Sequence, residues 1–378
     1  MSMTKGLNAC VQEIIDERVE SGEELSLQVA AYVDGELVVD AWAGITDEAS
    51  RQQVNGNTLF TSWSTTKGFA ATCLHILADR GQVDYDTPVA SYWPEFAAHG
   101  KDQITVRHVL THSAGIPHMP DGVTPETMTD WDKMCSAISQ HEPLWTPGTK
   151  TGYHFWTFGW LVGEIIRRVD GRPIAQFAQD ELCWPLGIRD FYLGIPDVVE
   201  DRVAPLRREP RQSDMSPEPS DLLLRVAPPQ ITTADTLNRS DVRRASIPGA
   251  GGIMNARAIA RLYAMLAGFG VLDGTRILSR ERVNVMRALQ TYAPDEVYGV
   301  SEPKSLGYFL GGDANHDWSR AMGGSGEEFG HPGMGGSLGF ADTGRKLGFG
   351  LTKNLMKPDF ETACVVAEAI REYLNDSI

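Results

Sequence analysis

Ser64-Thr65-Thr66-Lys67 is the most informative stretch of this chain. It lies where an extended segment, 59–63, gives way to a helical pattern that runs from 67 to 80 and stops at Gly81. Side chains three residues apart share one face of a helix, so the amine of Lys67 can reach the hydroxyl of Ser64. The spacing indicates a serine nucleophile that a lysine activates without the help of a histidine.

Two interpretations of this tetrad follow from the residues alone. For catalysis near neutral pH, the pKa of Lys67 must fall by roughly three from its usual value of about 10.4. Burial and the positive end of the helix dipole both act in that direction. In the structural interpretation, Ser64 caps the helix and Lys67 is solvated. The tetrad by itself leaves both interpretations open.

The composition is that of a soluble globular protein. The 378 residues are 42% hydrophobic and 22% charged, which suits one large domain or two. A net charge of −16 disfavours nucleic acids and anionic membrane surfaces as partners. The cysteines are scattered and odd in number, which favours reduced thiols over a disulfide framework or a zinc knuckle: Cys10, Cys73, Cys135, Cys183 and Cys364.

The beginning of the chain has the pattern of an amphipathic helix, so we expect no cleavable signal. No run reaches the roughly 18 apolar residues of a membrane span. We therefore expect a cytoplasmic protein whose partner is a small-molecule substrate. The sequence indicates no oligomeric state.

Strand patterns lie near both ends of the chain, with helical patterns between them. A hairpin is predicted over 26–43 around Asp34-Gly35, and further strands over 306–310, 337–341 and 347–352. These patterns predict an α/β (α+β) fold with one antiparallel sheet built from both termini and flanked by helices. The predicted sheet domain is 1–66 with 300–378, and 67–299 forms an inserted, mainly helical domain. A proline-rich part of that domain, 196–248, is expected to be a long surface excursion or lid.

Three more motifs follow the tetrad in a fixed order. They are Leu110-Thr111-His112-Ser113-Ala114-Gly115, the run from Trp145 to Ile166 that contains Tyr153-His154-Phe155, and His331-Pro332-Gly333 before a predicted strand. Together they resemble the serine β-lactamase and penicillin-binding-protein superfamily over about residues 5–375. The resemblance is greatest to the class C β-lactamase branch and, within it, to the family VIII carboxylesterases.

This resemblance implies a site and a mechanism. Ser64 matches the nucleophile, Lys67 the lysine that shares its proton, and Tyr153 the tyrosine that acts with Lys67 as general base. The implied oxyanion hole consists of the backbone amides of Ser64 and Met334. No metal and no organic cofactor are implied.

Departures from the β-lactamase pattern favour an ester as the substrate. Where β-lactamases have an asparagine that holds an amide, this chain has Phe155, which can neither donate nor accept a hydrogen bond through its side chain. Where they have Lys-Thr, which binds a carboxylate, it has His331-Pro332. We therefore expect a serine carboxylesterase acting on small, short-chain esters. The residues expected to bind the substrate are Trp63, Phe155, Trp156, His331 and Gly333.

Alternatives remain at the sequence level. Within the same fold they are a β-lactamase, a D-aminopeptidase or D,D-peptidase, an acyltransferase and an inactive binding protein. Gly335-Gly336-Ser337-Leu338-Gly339 fits the G-x-S-x-G nucleophile elbow, but a strand rather than a helix is predicted after it.

Three other features of the sequence have structural explanations. His108 and His112 have the four-residue spacing of zinc ligands, but lack a third ligand. His154 is an alternative base, and Gly249-Ala250-Gly251-Gly252 is better explained as a backbone turn near the cleft than as a phosphate loop.

Overall fold

A computed structural model describes residues 3–208 and 218–376 of the protein. Its helices are α1 (Met3–Glu20), α2 (Thr66–Asp79), α3 (Val106–Leu110), α4 (Pro125–Met128), α5 (Trp131–Ser139), α6 (Thr157–Asp170), α7 (Ile174–Ala178), α8 (Asp221–Val226), α9 (Ala234–Asn238), α10 (Ser240–Arg244), α11 (Ala256–Ala267), α12 (Arg280–Arg287), α13 (Asp317–Met322) and α14 (Glu361–Asn375). Its strands are β1 (Ser26–Val33), β2 (Glu36–Gly44), β3 (Leu59–Thr61), β4 (Phe191–Tyr192), β5 (Val203–Ala204), β6 (Arg207–Arg208), β7 (Ile253–Met254), β8 (Val271–Leu272), β9 (Thr275–Arg276), β10 (Phe309–Leu310), β11 (Glu328–Gly333), β12 (Ser337–Asp342), β13 (Leu347–Lys353) and β14 (Leu355–Met356).

The main sheet joins the two ends of the chain. Its order is β10-β11-β12-β13-β1-β2, and each neighbouring pair is antiparallel. The Asp34-Gly35 turn connects β1 to β2, with both residues at positive φ as the hairpin requires. The predicted antiparallel sheet from both termini is therefore confirmed.

Helices cover both faces of this sheet. α1 contacts β2 and α14, whereas α11 lies against β13, β1 and β12 on the opposite face. Gly348 allows the close approach of α11, because a Cβ atom there would collide with the backbone of Ala264. α2 is buried from Thr66 to Ala78 and contacts both α6 and β11, so it joins the sheet to the helices.

The proline-rich excursion contains more regular structure than its composition indicates. Within 196–248, the described part forms β5, β6 and α8 to α10, and β5 pairs in parallel with β3 just before the tetrad. Pro210 and Pro217 lie outside the described residues. The boundaries of a sheet domain and a helical domain stay a prediction.

One strand was missed. His331-Pro332-Gly333 precedes β12, as predicted, but it also forms the second half of β11, where no strand was predicted. Proline and glycine are poor strand formers, so the sequence of β11 lacks a recognisable strand pattern. Proline is tolerated here because β10 pairs only with Phe329 and Gly330, so no strand flanks Pro332 on that side.

Candidate active site

Ser64 lies in a single 3₁₀ turn, Trp63–Thr65, between β3 and α2. Trp63 adopts φ 47°, a conformation uncommon for a residue with a Cβ, and it turns the chain sharply just before the serine. Thr65, not Ser64, occupies the N-cap position of α2, and no side chain caps that helix. The structural interpretation of Ser64 as a helix cap is therefore wrong.

Lys67 is completely buried and directed at Ser64. Its Nζ lies 3.0 Å from Ser64 Oγ and donates to the carbonyl oxygens of Phe155 at 2.8 Å and of Gly249 at 2.7 Å. Burial lowers the pKa of Lys67 well below its ordinary value of 10.5. A neutral amine is compatible with these distances, because its two N–H groups can donate to the two carbonyls while its lone pair accepts from the serine hydroxyl.

Tyr153 lies next to this pair. Lys67 Nζ is 4.8 Å from the centre of the tyrosine ring, and only 5% of the residue is exposed. Burial, followed by the nearby Tyr298, raises the pKa of Tyr153 well above 10.0, while the Ser64 side chain acts in the opposite direction. Burial therefore favours the neutral amine of Lys67 and the neutral phenol of Tyr153.

Aromatic rings surround Tyr153. Phe155, Tyr298, Phe309 and His331 have ring centres 6.0, 5.8, 6.0 and 6.2 Å from that of Tyr153. Tyr298 is 41% exposed, so it lies at the edge of this cluster. Tyr298 and Phe309 belong to no recognised sequence motif, and only the folding of the chain places them next to Tyr153.

Trp63 and Trp156 contact Phe155, as expected for parts of one apolar wall. The ring centres of Trp63 and Trp156 lie 6.3 and 5.2 Å from that of Phe155. Both tryptophans are almost fully buried, and Trp156 Nε1 donates to Thr232 Oγ1. Their observed contacts are with protein groups, and their part in substrate binding stays a prediction.

The end of β11 lies against residues 62–65 around Ser64, here named the nucleophile turn after the predicted role of Ser64. A Cβ atom at Gly333 would collide with the carbonyl oxygen of Ser62 and would lie 2.8 Å from Thr65 Oγ1. Because Gly333 has no side chain, the turn that begins at Met334 can lie close to Ser64. His331 lies on the same face, since it is two residues before Gly333 in the strand.

Ser337 belongs to this contact and not to a nucleophile elbow. It begins β12, and its hydroxyl donates to the Ser62 carbonyl and lies 3.1 Å from Thr65 Oγ1. It therefore connects the sheet to the nucleophile turn. The G-x-S-x-G pattern contains Ser337, but nothing in the sequence indicated that this residue connects the sheet to the turn around Ser64.

The remaining candidates have structural partners. His154 uses both ring nitrogens, Nε2 accepting from the Ile116 amide and Nδ1 facing the Gly152 carbonyl, so it is not a free base. His112 Nδ1 accepts from the His154 amide, and His108 Nδ1 from the Thr105 amide. Within 3–208 and 218–376, no group of three or more residues could hold a metal ion.

The glycine segment 249–252 lies beside the site, as the interpretation of a turn near the cleft predicted. Besides the Gly249 carbonyl, the Gly252 carbonyl accepts from the Ser62 amide, and the Gly252 amide donates to Thr66 Oγ1. This segment therefore helps to hold the nucleophile turn.

No helix in the described part of the chain has the length and apolar character needed to cross a membrane.

Similar proteins are found both by sequence and by structure. A family model described as Beta-lactamase matches residues 11–371. The chain is 34% identical over 345 residues to "Esterase/beta-lactamase LipL" of Mycobacterium tuberculosis, covering 87% of this chain and 77% of that protein. A crystal structure of a family VIII carboxylesterase superposes with a TM-score of 0.90 at 36% identity, covering 97% of both chains. A penicillin-binding-protein homologue from Caulobacter crescentus gives a TM-score of 0.88 at 33% identity, again covering 97% of both.

Proposed function

The chain belongs to the Beta-lactamase family, and from this premise we propose that it is a serine carboxylesterase that hydrolyses small, short-chain esters through an acyl-enzyme. One observation carries the proposal above the others. Lys67 Nζ lies 3.0 Å from Ser64 Oγ while two backbone carbonyls accept its hydrogen bonds. This arrangement prepares a neutral amine to take the serine proton.

The first half of the reaction forms the acyl-enzyme. Lys67 accepts the proton of Ser64, whose Oγ bonds to the ester carbonyl carbon, and the backbone amides of Ser64 and Met334 hold the resulting oxyanion. The bond to the alcohol then breaks, and the proton passes from Lys67 through Tyr153 to the leaving alkoxide. Tyr153 suits this transfer because burial keeps it protonated at rest.

The second half releases the acid. Water gives a proton to the pair of Lys67 and Tyr153 and bonds to the acyl carbon. The bond to Ser64 Oγ then breaks, and the serine recovers its proton. No metal or organic cofactor takes part in the proposed steps.

The preference for esters rests on the two departures from the β-lactamase pattern. Phe155 offers no side-chain group to an amide, and its neighbours are rings. A buried, neutral His331 offers no permanent charge to a carboxylate. We also propose a cytoplasmic location, supported by five cysteines that are all unpaired.

The test compares the wild type with Ser64→Ala on a short-chain p-nitrophenyl ester and on the β-lactam nitrocefin. We expect ester cleavage that the substitution abolishes, labelling of the wild type alone by a fluorophosphonate, and little nitrocefin turnover. Ester cleavage that survives in Ser64→Ala would refute the assignment.

The printed name of the Mycobacterium tuberculosis relative favours β-lactamase activity as the second candidate. Rapid, Ser64-dependent nitrocefin turnover would select it. Adding an alcohol and looking for the exchanged ester tests acyl transfer in the same assay.

A further inference from the structure

His331 has a polar atom in the site that the proposed mechanism does not use. The residue is 1% exposed, and its ring centre lies 5.1 Å from Phe309 as well as 6.2 Å from Tyr153. Its side chain lies on the sheet face that meets the nucleophile turn. His331 Nε2 is buried, and no group among the described residues hydrogen-bonds to it.

The other ring nitrogen determines the tautomer. His331 Nδ1 lies 2.8 Å from the carbonyl oxygen of Pro332. A carbonyl can only accept, so Nδ1 must carry the hydrogen. Burial holds the pKa of His331 well below 6.5, so the ring is neutral. Nε2 is then a bare acceptor.

A buried acceptor without a partner, such as His331 Nε2, destabilises the empty site. Such a group has lost its hydrogen bonds to water and has gained none in their place. It therefore favours a substrate that carries a hydrogen-bond donor. The lysine found at this position in β-lactamases is a cation that attracts carboxylates, whereas a nitrogen lone pair repels them. His331 therefore recognises a different group.

We propose that His331 Nε2 accepts a hydrogen bond from a hydroxyl group on the alcohol portion of the ester, so that monoesters of short diols and of glycerol are preferred substrates. The alcohol portion is chosen because Tyr153, the proposed donor to the leaving alkoxide, is the neighbour of His331. This inference rests on the proposed esterase function.

The test measures kcat/KM for 2-hydroxyethyl butyrate and 2-fluoroethyl butyrate, which differ by a hydroxyl against a fluorine of similar size. The ratio of the two values is compared between the wild type and His331→Leu. We expect the ratio to fall by about 5- to 10-fold in the variant, the effect of one net hydrogen bond. Differences in intrinsic reactivity and in the fraction of folded enzyme cancel in this comparison.

Phe309→Leu is the matched control, because it changes the neighbouring ring but no polar atom, and its ratio should equal that of the wild type. Equal ratios in the wild type and in His331→Leu would overturn the inference. A wild type that cleaves neither ester through Ser64 would instead overturn the proposed function.

A second measurement does not depend on a variant. The ¹⁵N chemical shifts of His331 in the wild type should show a protonated Nδ1 and an unprotonated Nε2 at neutral pH. The opposite tautomer would remove the acceptor and refute the proposal.

Discussion

Burial changes the proton affinity of Lys67 and Tyr153 in opposite directions. The pKa of Lys67 falls well below 10.5 and that of Tyr153 rises well above 10.0, each mainly because the charged form would lose its hydration. A cation at Lys67 would help Tyr153 to ionise. The folded site instead favours both neutral forms, which supports the proposal that Lys67 accepts the serine proton first and that Tyr153 relays it.

Tyr153→Phe tests this relay at the scale of one residue. We expect kcat to fall by roughly 10² or more, because the ring stays but the hydroxyl that returns the proton is lost. Tyr298→Phe removes a hydroxyl from the adjacent ring and should keep most of the activity. Steady-state kinetics of the two variants on one ester decide the matter, and an unchanged kcat in Tyr153→Phe would remove Tyr153 from the mechanism.

At the scale of the element, β11 is a strand that its proline and glycines make difficult to predict from the sequence. Its end must approach the nucleophile turn closely enough for the Met334 amide to share an oxyanion with the Ser64 amide. The missing side chain of Gly333 and the hydroxyl of Ser337 establish that approach. The position of the strand, and not the residue type at Met334, therefore controls this part of the proposed site.

Gly333→Ala should lower kcat/KM by about 10- to 100-fold, since its Cβ atom would push the end of β11 away from Ser62 and displace the Met334 amide. Gly324→Ala is the control, because a Cβ atom there would meet nothing closer than 3.8 Å. Both variants are assayed on the same ester, with thermal unfolding measured alongside. Wild-type activity in Gly333→Ala would contradict this account of β11.

At the scale of the whole molecule, buried histidines connect stability to pH. Burial lowers the pKa of His75, His141 and His154 to about 3 and that of His118 to about 4, from 6.5. These groups stay neutral in the fold but take up protons in the unfolded chain as the pH falls below about 6.5. The stability they contribute is complete above that pH and is lost progressively as the pH falls to about 4 for His118 and to about 3 for the other three.

His141→Asn measures one part of this effect. His141 stacks on His118 with ring centres 4.2 Å apart, and both Nδ1 atoms are buried without a partner among the described residues. Between pH 6.5 and 4.5, the unfolding free energy of the wild type decreases as the pH falls. In the variant, this slope should be smaller by up to about 1.4 kcal/mol per pH unit. Urea denaturation at several pH values gives this slope. The same change at the exposed His99 should leave the slope unaltered, and equal slopes in all three proteins would disprove the coupling.

The sequence by itself determined the features that depend on neighbours along the chain. The Asp34-Gly35 hairpin, the buried helix after the tetrad and the strands near both ends follow from turn chemistry and periodicity. All are present, although the strand predicted over 306–310 is shorter and consists only of β10, Phe309–Leu310. The spacing of Ser64 and Lys67 likewise brings their side chains together on one face, with Nζ and Oγ 3.0 Å apart. Local geometry suffices for these because the interacting residues are a few positions apart.

Only the tertiary structure decided what those residues can do. The carbonyls that orient Lys67 come from residues 88 and 182 positions further along the chain, and its proton affinity depends on burial by the whole fold. The structural role of Ser337, the strand that contains His331 and the tautomer of that histidine likewise depend on contacts that no local pattern records. The charge state of a side chain and its free lone pairs depend on the groups that surround it in space. These properties could therefore be determined only from the tertiary structure.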